Sequence, residues 1–202
     1  FSQLSNTRSQ FTSYLLEHTL NYDYNFSKHR INGVVGYTQQ TTQTEDLFGS
    51  ANKLAQFGGN YFTTLISTPN DGRFASGALY RHLLDSFLGR LNYTYDDKYL
   101  LTLTMRADKD SRFSPDYRTG VFPSIALAWR LSEEEFFKAD WISDLKIRGT
   151  YGVLGINTLG AYETVGFLNQ GPNAVFGPDQ TTFPGATQAR IVDSDLRWEE
   201  KR

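Results

Sequence analysis

The sequence predicts an all-β chain, an antiparallel, up-and-down segment of about six strands from the wall of a larger transmembrane β-barrel. Three observations lead there. Six stretches alternate apolar and polar residues with period two, so each lays a greasy and a wet face along a strand. Short connections alternate with long ones. Tyrosine and phenylalanine gather on the apolar faces beside the short turns.

The first strand is "SYLLEHTLNYDYNF", residues 13–26, with Leu16, His18, Leu20, Tyr22, Tyr24 and Phe26 opposed to Leu15, Glu17, Thr19, Asn21, Asp23 and Asn25. A brief "SKHR" turn leads into "INGVVGYTQQ", where Ile31, Val35 and Tyr37 oppose Asn32, Gly36 and Thr38. In the third, "SFLGRLNYTY", Phe87, Leu91, Tyr93 and Tyr95 oppose Arg90, Asn92 and Thr94. Asp96, Asp97 and Lys98 then make a tight turn, with Asp at a favoured turn position. The fourth strand has Tyr99, Leu101, Leu103, Met105 and Ala107 on one face and Leu100, Thr102, Thr104, Arg106 and Asp108 on the other. In the fifth, "VFPSIALAWRL", Ile125, Leu127, Trp129 and Leu131 oppose Ser124, Ala126, Ala128 and Arg130. Pro123 lacks a ladder donor and calls for a bulge or a strand start. "SEEEFFKADWIS" suits one helical turn capped by Ser132. The sixth strand, "LKIRGTYGV", sets Leu145, Ile147, Tyr151 and Val153 against Lys146, Arg148 and Thr150.

Strands two and three are joined by residues 41–83, and strand six runs into residues 154–190; both segments read as long loops. Brief turns at one end and long loops at the other belong to outer-membrane barrels, whose short turns face the periplasm. Long structureless loops are uncommon in compact soluble domains. A soluble β-sandwich shares the alternation. Three features favour the barrel: the aromatic clusters, the mid-strand charges (Glu17, Asp23, Arg90, Arg106, Arg130, Arg148) suited to a watery lumen, and strands longer than the globular norm of ~5–6 residues.

The 202 residues carry a net charge of −2 and no basic cluster, which excludes nucleic acid as the expected partner. There is no cysteine, hence neither disulfides nor thiolate metal sites. No apolar run is long enough for a spanning helix, whereas a spanning strand needs only ~9–11 residues. The first residues show no signal peptide, and the chain reads as an excerpt of a longer one. His18, His29 and His82 lack ligand spacing, so no metal is expected. "GTYGVLG" lacks the Lys-Ser/Thr of a phosphate loop; its glycines suit close strand packing. Glu133, Glu134 and Glu135 read as a solvated turn. With no nucleophile–base pair, the chain is not expected to be an enzyme, and no cofactor is called for.

The run from Tyr95 to Phe137 resembles the mid-barrel signature of SusC/RagA-type TonB-dependent outer-membrane transporters. The matching residues are Asp97-Lys98-Tyr99-Leu100-Leu101, Arg106 with Asp108, Ser111-Arg112-Phe113, Arg118 with Gly120, Phe122-Pro123-Ser124, Ala128-Trp129, and Ser132 through Phe136. "LKIRGTYGVLGIN", with Tyr151 and Gly152, and "DSDLRWEEKR", with Trp198, resemble the strands that follow in that family. Lys109 stands where the family usually has glycine, Ile156 where it often has asparagine, and Asp193-Ser194 where it has Asn-Pro.

The resemblance implies a partial barrel domain over residues 1–202, without plug, TonB box or signal peptide, drawn from a barrel of 22 strands. It implies uptake of glycans first and oligopeptides second, with a SusD-like surface lipoprotein, TonB and outer-membrane lipid as partners. The motif residues read as structural, with Arg112 and Arg118 near Asp108, Asp110 and Asp116 forming an ion-pair network at the loop mouth. Ligand contacts fall to loop aromatics: Tyr61, Phe62, Phe74, Tyr80, Phe167, Phe176 and Phe183. The alternatives are a soluble β-sandwich or lectin-like binding module, and a passive porin.

Overall fold

The computed structural model describes residues 2–138, 141–160, 162–169, 173–193 and 195–202, with the side chains of Ser67 and Phe176 outside the description. Six strands form the main sheet: β1 (Gln3–Phe26), β2 (His29–Asn52), β3 (Arg73–Tyr95), β4 (Tyr99–Asp110), β5 (Thr119–Arg130) and β6 (Lys146–Gly152). Their order in the sheet is their order in the chain, the meander of an up-and-down wall. The chain divides into two units, one of residues up to 15 with Gln40–His82, the other of Leu16–Gln39 with Leu83–Arg202.

In the larger unit every measured pairing is antiparallel. β3 meets β4 from Leu84↔Asp110 to Tyr95↔Tyr99, and β4 meets β5 from Tyr99↔Trp129 to Lys109↔Thr119. β5 meets β6 from Arg130↔Lys146 to Ser124↔Gly152. The short turns use left-handed backbone. Ser27 has φ 49°, and Asp96 and Asp97 have φ 51° and 54°, a mirror-image turn closed by Lys98 N–H donating to Tyr95 O at 3.0 Å. Aspartate tolerates that conformation better than most side chains.

Three sequence expectations need correction. The strands around the first long connection run on to Asn52 and resume at Arg73, so much of residues 41–83 is strand. "TTQTEDLFGS" has polar residues on both faces, and period two is silent where neither face is greasy. The turn after β5 is a 3₁₀ turn, Leu131–Glu133, with Arg130 at its N-cap and no side-chain cap. Ser132 lies inside it, and its hydroxyl donates to Asp144 at 3.0 Å.

Pro123 sits within β5, at neither a strand start nor a bulge. It lies one residue beyond the last β5–β6 pair, Ser124↔Gly152, and its carbonyl accepts from Val153 N–H at 3.0 Å. In an antiparallel strand N–H and C=O of one residue point the same way, so the missing donor faces the place where this ladder ends. The chain continues as β7 (Leu154–Ile156), which pairs instead with β8 (Glu199–Lys201), the strand that "DLRWEEKR" announced.

The smaller unit has its own core. Ala51 and Thr42 are buried, and the Phe48 and Phe74 rings lie 6.2 Å apart. A small ladder, Gln56–Phe57 with Asn60–Tyr61, turns through Gly58 and Gly59, both at positive φ. The Arg73 guanidinium donates to the carbonyls of Ile66 and Thr68 and braces the two 3₁₀ turns, Leu65–Ser67 and Asn70–Gly72.

Candidate functional site

Apart from Asp85, Lys109 and Thr119 at the loop end, the register puts only apolar side chains and glycine on the outward row of β3–β6. Phe87, Leu91, Tyr93 and Tyr95 of β3 share a face with Leu101, Leu103 and Met105 of β4, Ile125, Leu127 and Trp129 of β5, and Ile147 and Tyr151 of β6. This face is bare: Met105 is 58% exposed, Leu127 56% and Tyr151 62%. Among the described residues the buried hydrophobic side chains are Ala51, Phe113 and Phe122, none of them on it. The apolar face therefore does not close over a core of the chain's own, as the sandwich reading requires.

The opposite face is polar and locally knitted. Asn32 donates to Asp23 at 2.6 Å, Asn92 to Asn32 at 3.2 Å, and Thr102 to Asn92 at 2.9 Å. One hydrogen-bonded row thus crosses β1 to β4. No periodicity analysis predicts it, because the alignment of Asn32, Asn92 and Thr102 depends on register.

At the short-turn end the rings gather in a band, with an unbroken run from Phe26 through His29, Tyr95 and Tyr99 to Trp129. Tyr22 lies 6.3 Å from Tyr24, and Phe26 6.3 Å from His29. His29 is 4.9 Å from Tyr95, Tyr95 is 6.3 Å from Tyr99, and Tyr99 stacks on Trp129 at 6.3 Å. His29 Nδ1 also shares a 2.7 Å hydrogen bond with Tyr93 Oη, so this histidine serves the band. Glu134 gathers the polar tips: it accepts from Tyr99 Oη at 2.7 Å, Trp129 Nε1 at 2.9 Å and Lys98 Nζ at 3.3 Å. These donors, Tyr99 first, hold its carboxyl below the usual glutamate range. Glu134 is therefore not the solvated residue of the sequence reading, although Glu133 and Glu135 are exposed. Lys28 bonds Asp96 at 2.8 Å, which raises its pKa and ties the two tight turns together.

At the other end, the motif residues build a polar core. The fully buried Asp110 accepts from Arg112 Nη2 at 2.8 Å, from Arg112 Nε and backbone N–H, and from Asn157 Nδ2. Arg112 also donates to Leu159 O at 2.8 Å, and Thr164 Oγ1 donates to Arg112 O at 2.9 Å. Arg106 pairs with Asp108 at 2.7 Å and donates to Ser86 at 3.0 Å. Ser111 Oγ accepts from Leu83 N–H at 2.8 Å. Of the expected ion-pair network the structure describes Arg112 with Asp110, while Asp108 pairs with Arg106, which was not expected there. Arg118 instead donates to Phe113 O at 3.0 Å, while its own carbonyl accepts from Trp198 Nε1 at 3.1 Å.

Beside this core Trp198 stacks on Phe113 at 4.9 Å and meets Phe122 edge-on at 5.4 Å. The Phe122 ring occupies the space where side chains at Gly120 and Gly155 would stand, which gives the Arg-x-Gly and Gly-x-x-Gly motifs their physical meaning. A Cβ on Gly152 would meet Ser124 Cβ at 2.7 Å. Sequence reasoning placed Asp110 near Arg112 but missed Asn157, 47 residues from Asp110, because nothing local links residues so far apart.

The loop aromatics are dispersed. In the smaller unit Tyr61 belongs to the small ladder, Phe62 follows it, Phe74 packs on Phe48, and Tyr80 lies in β3. In the larger unit Phe167 lies under Arg190, 5.2 Å from its guanidinium, and meets Tyr162 edge-on. Phe183 pairs with Ala174, and Phe176 with Thr181, in a hairpin of residues 173–184. The Phe176 side chain lies outside the described residues.

No family model matches the chain. It is 35% identical over 189 residues to TonB-dependent receptor P26 of Formosa agariphila, a match covering 91% of this chain and 18% of that protein. It is 35% identical over 148 residues to TonB-dependent receptor SusC of Bacteroides thetaiotaomicron, covering 70% of the chain and 15% of SusC. The chain thus spans less than a fifth of the length of these curated relatives. Among solved structures, that of the RagAB peptide transporter superposes with a TM-score of 0.82 at 19% identity, over 97% of this chain and 21% of that one.

Proposed function

From the premise that the chain belongs to the SusC/RagA-type TonB-dependent receptors, as a segment of their barrel, we propose that it forms part of the wall of an outer-membrane nutrient importer. The observation that carries this reading is the bare apolar face, bounded at its short-turn end by a ring of aromatics. From Tyr99 to Ala107 that face runs about 27 Å along β4, at ~3.4 Å per residue. At a barrel tilt of ~35–45° this gives roughly 20 Å of height, the scale of the ~25 Å lipid-facing band. The ring of Tyr95, Tyr99 and Trp129 then sits at the periplasmic interface, where amphipathic rings collect. The polar row Asp23–Asn32–Asn92–Thr102 faces the lumen.

The longer loops lie outside the cell and meet substrate and a SusD-like lipoprotein; Tyr61, Phe62, Phe74, Tyr80, Phe167, Phe176 and Phe183 supply ring surface for stacking. Glycans are the first substrate class and oligopeptides the second. TonB acts through parts of the receptor other than this wall, and no residue here performs covalent chemistry. The test is uptake of labelled oligosaccharides and oligopeptides by cells with the receptor gene deleted and restored. The reading expects energy-dependent uptake that disappears with the gene and with a protonophore. Uptake that survives the protonophore indicates a passive porin instead.

A further inference from the structure

We propose that the lumen face of β3–β6 receives carboxylate-bearing substrates, uronate-containing oligosaccharides or acidic oligopeptides, at a strip of cations formed by Arg90, Lys146 and Arg148. The proposal rests on the importer reading above and names the charge of what is imported. Register puts all three on the polar face. Arg90 stands opposite Thr104 and two residues from Asn92 of the hydrogen-bonded row, and Arg148 stands opposite Ala128. The three are exposed, and among the described residues none has a carboxylate within ion-pair distance. Arg130 lies directly opposite Lys146 on this face, with Arg148 about 7 Å further along β6. Like charges set opposite each other in a ladder destabilise it. Asp144 answers Arg130 alone, at 3.7 Å, and the exposed Glu133 of the adjoining turn joins no ion pair among the described residues. Lys146 and Arg148 are thus left for an anion from outside the chain.

Acidic side chains do not offset the strip. Between Arg90 and Lys146 the uncharged polar residues of this face are Asn92, Thr94, Thr102, Thr104, Ser124 and Thr150, and no carboxylate lies among them. The acids of the face stand elsewhere. Asp108 is bonded to Arg106 at 2.7 Å, and Asp110 is buried against Arg112 at 2.8 Å. Glu17 and Asp23 belong to β1, two strands away from β3, where Asp23 accepts from Asn32. A guanidinium fork matches a carboxylate through two parallel hydrogen bonds. Walls bearing Arg and Lys are also what pores for anions use. An uncharged sugar or peptide would leave these cations unmatched. A fixed acid of the receptor itself would hold them permanently and would favour no substrate over another.

The test gives two mixed libraries to cells carrying the full-length receptor. One holds oligosaccharides with and without uronate residues; the other holds short peptides that differ by glutamate or glutamine. Depletion of each member from the medium is followed by mass spectrometry, with gene-deleted cells as the baseline. Carboxylated members should be depleted about fivefold faster than their neutral counterparts at low salt, the scale of one charge pair at contact in water, and by less at high salt. The library that shows this ratio identifies glycan or peptide as the source of the carboxylate. Lys146→Gln with Arg148→Gln should bring the ratio close to one, Arg148→Lys should keep it, and Lys146→Glu with Arg148→Glu should invert it. Receptor in the outer-membrane fraction is measured for every variant, and Arg148→Gln alone decides the matter should the double variants not reach the membrane. A ratio of one for the unaltered receptor, or a ratio that survives the glutamine variants, overturns the proposal. So does a glutamine variant that loses all members alike, the result for cations that hold a fixed acid of the receptor. Should neither library be depleted beyond the baseline, the importer reading falls as well; depletion without regard to charge defeats the cation strip alone.

Discussion

The two ends of the same strands are held by opposite chemistry. At the short-turn end the rings point outward and stay accessible, and a half-buried carboxylate on the rim, Glu134, ties together the tips of Tyr99, Trp129 and Lys98. At the loop end a carboxylate with no exposure, Asp110, is enclosed by Arg112 and Asn157, and an aromatic cluster of Phe113, Phe122 and Trp198 lies beside it. The difference teaches where stability resides. Exposed pairs contribute little, whereas a buried pair broken on one side leaves an uncompensated charge. The loop end therefore tolerates substitution poorly, and the turn end owes its rings to the interface they meet.

The largest effect expected from this contrast is at Asp110. Asp110→Ala strands the Arg112 guanidinium and the Asn157 amide, and should cost about 3 kcal/mol or more locally. Tryptic cleavage after Arg112 and Arg118 in the folded receptor would then accelerate by about a hundredfold; an unchanged rate would show that the cluster does not hold the loop. Next is Gly155→Ala, which forces a methyl group into the Phe122 ring and should cost about 1–3 kcal/mol in urea unfolding. Gly89→Ala, with open space around its new Cβ, should stay within about 0.5 kcal/mol. Equal effects at the two glycines would erase the distinction between internal packing and an open outer groove.

The smallest effect belongs to the turn end. The Glu134 carboxyl is held below its ordinary value of 4.5 in the folded protein, so its stabilising contribution is present above that pH and is lost as pH falls through the lowered value. Trp129 fluorescence should consequently respond to acid with a midpoint below 4.5, and Glu134→Gln should abolish the transition. A midpoint above the ordinary value would mean that the three donors do not engage the carboxylate in solution.

Legibility in the sequence follows the same division. β4 and β5 could be read closely because one face of each is continuously apolar, the condition under which period two speaks. β2 extends through "TTQTEDLFGS", where both faces are polar, and β3 begins in "RFASGALYRHLL", where apolar and polar residues mix on both faces, so period two marks neither stretch. Tyr95 and Tyr99 could be placed together because they flank one tight turn, whereas Trp129 joins them through the register Tyr99↔Trp129. The bond from Asn157 to Asp110 spans 47 residues, and the row from Asp23 to Thr102 depends on register, so neither leaves a local trace. Pro123 was legible as an anomaly. Its resolution required knowing that the β5–β6 ladder stops at Gly152, where the following residues turn to Glu199–Lys201.

The account stands on the claim that the bare face of β4 meets lipid and its other face meets water. Single cysteines at Leu101 and Thr102, in the full-length receptor in whole cells, test this with a lipid-soluble and a water-soluble thiol reagent. The prediction is an outer-membrane protein in which position 101 reacts only from lipid and position 102 only from water. A soluble product with position 101 protected from both reagents would make that face a protein core, and would contradict the account.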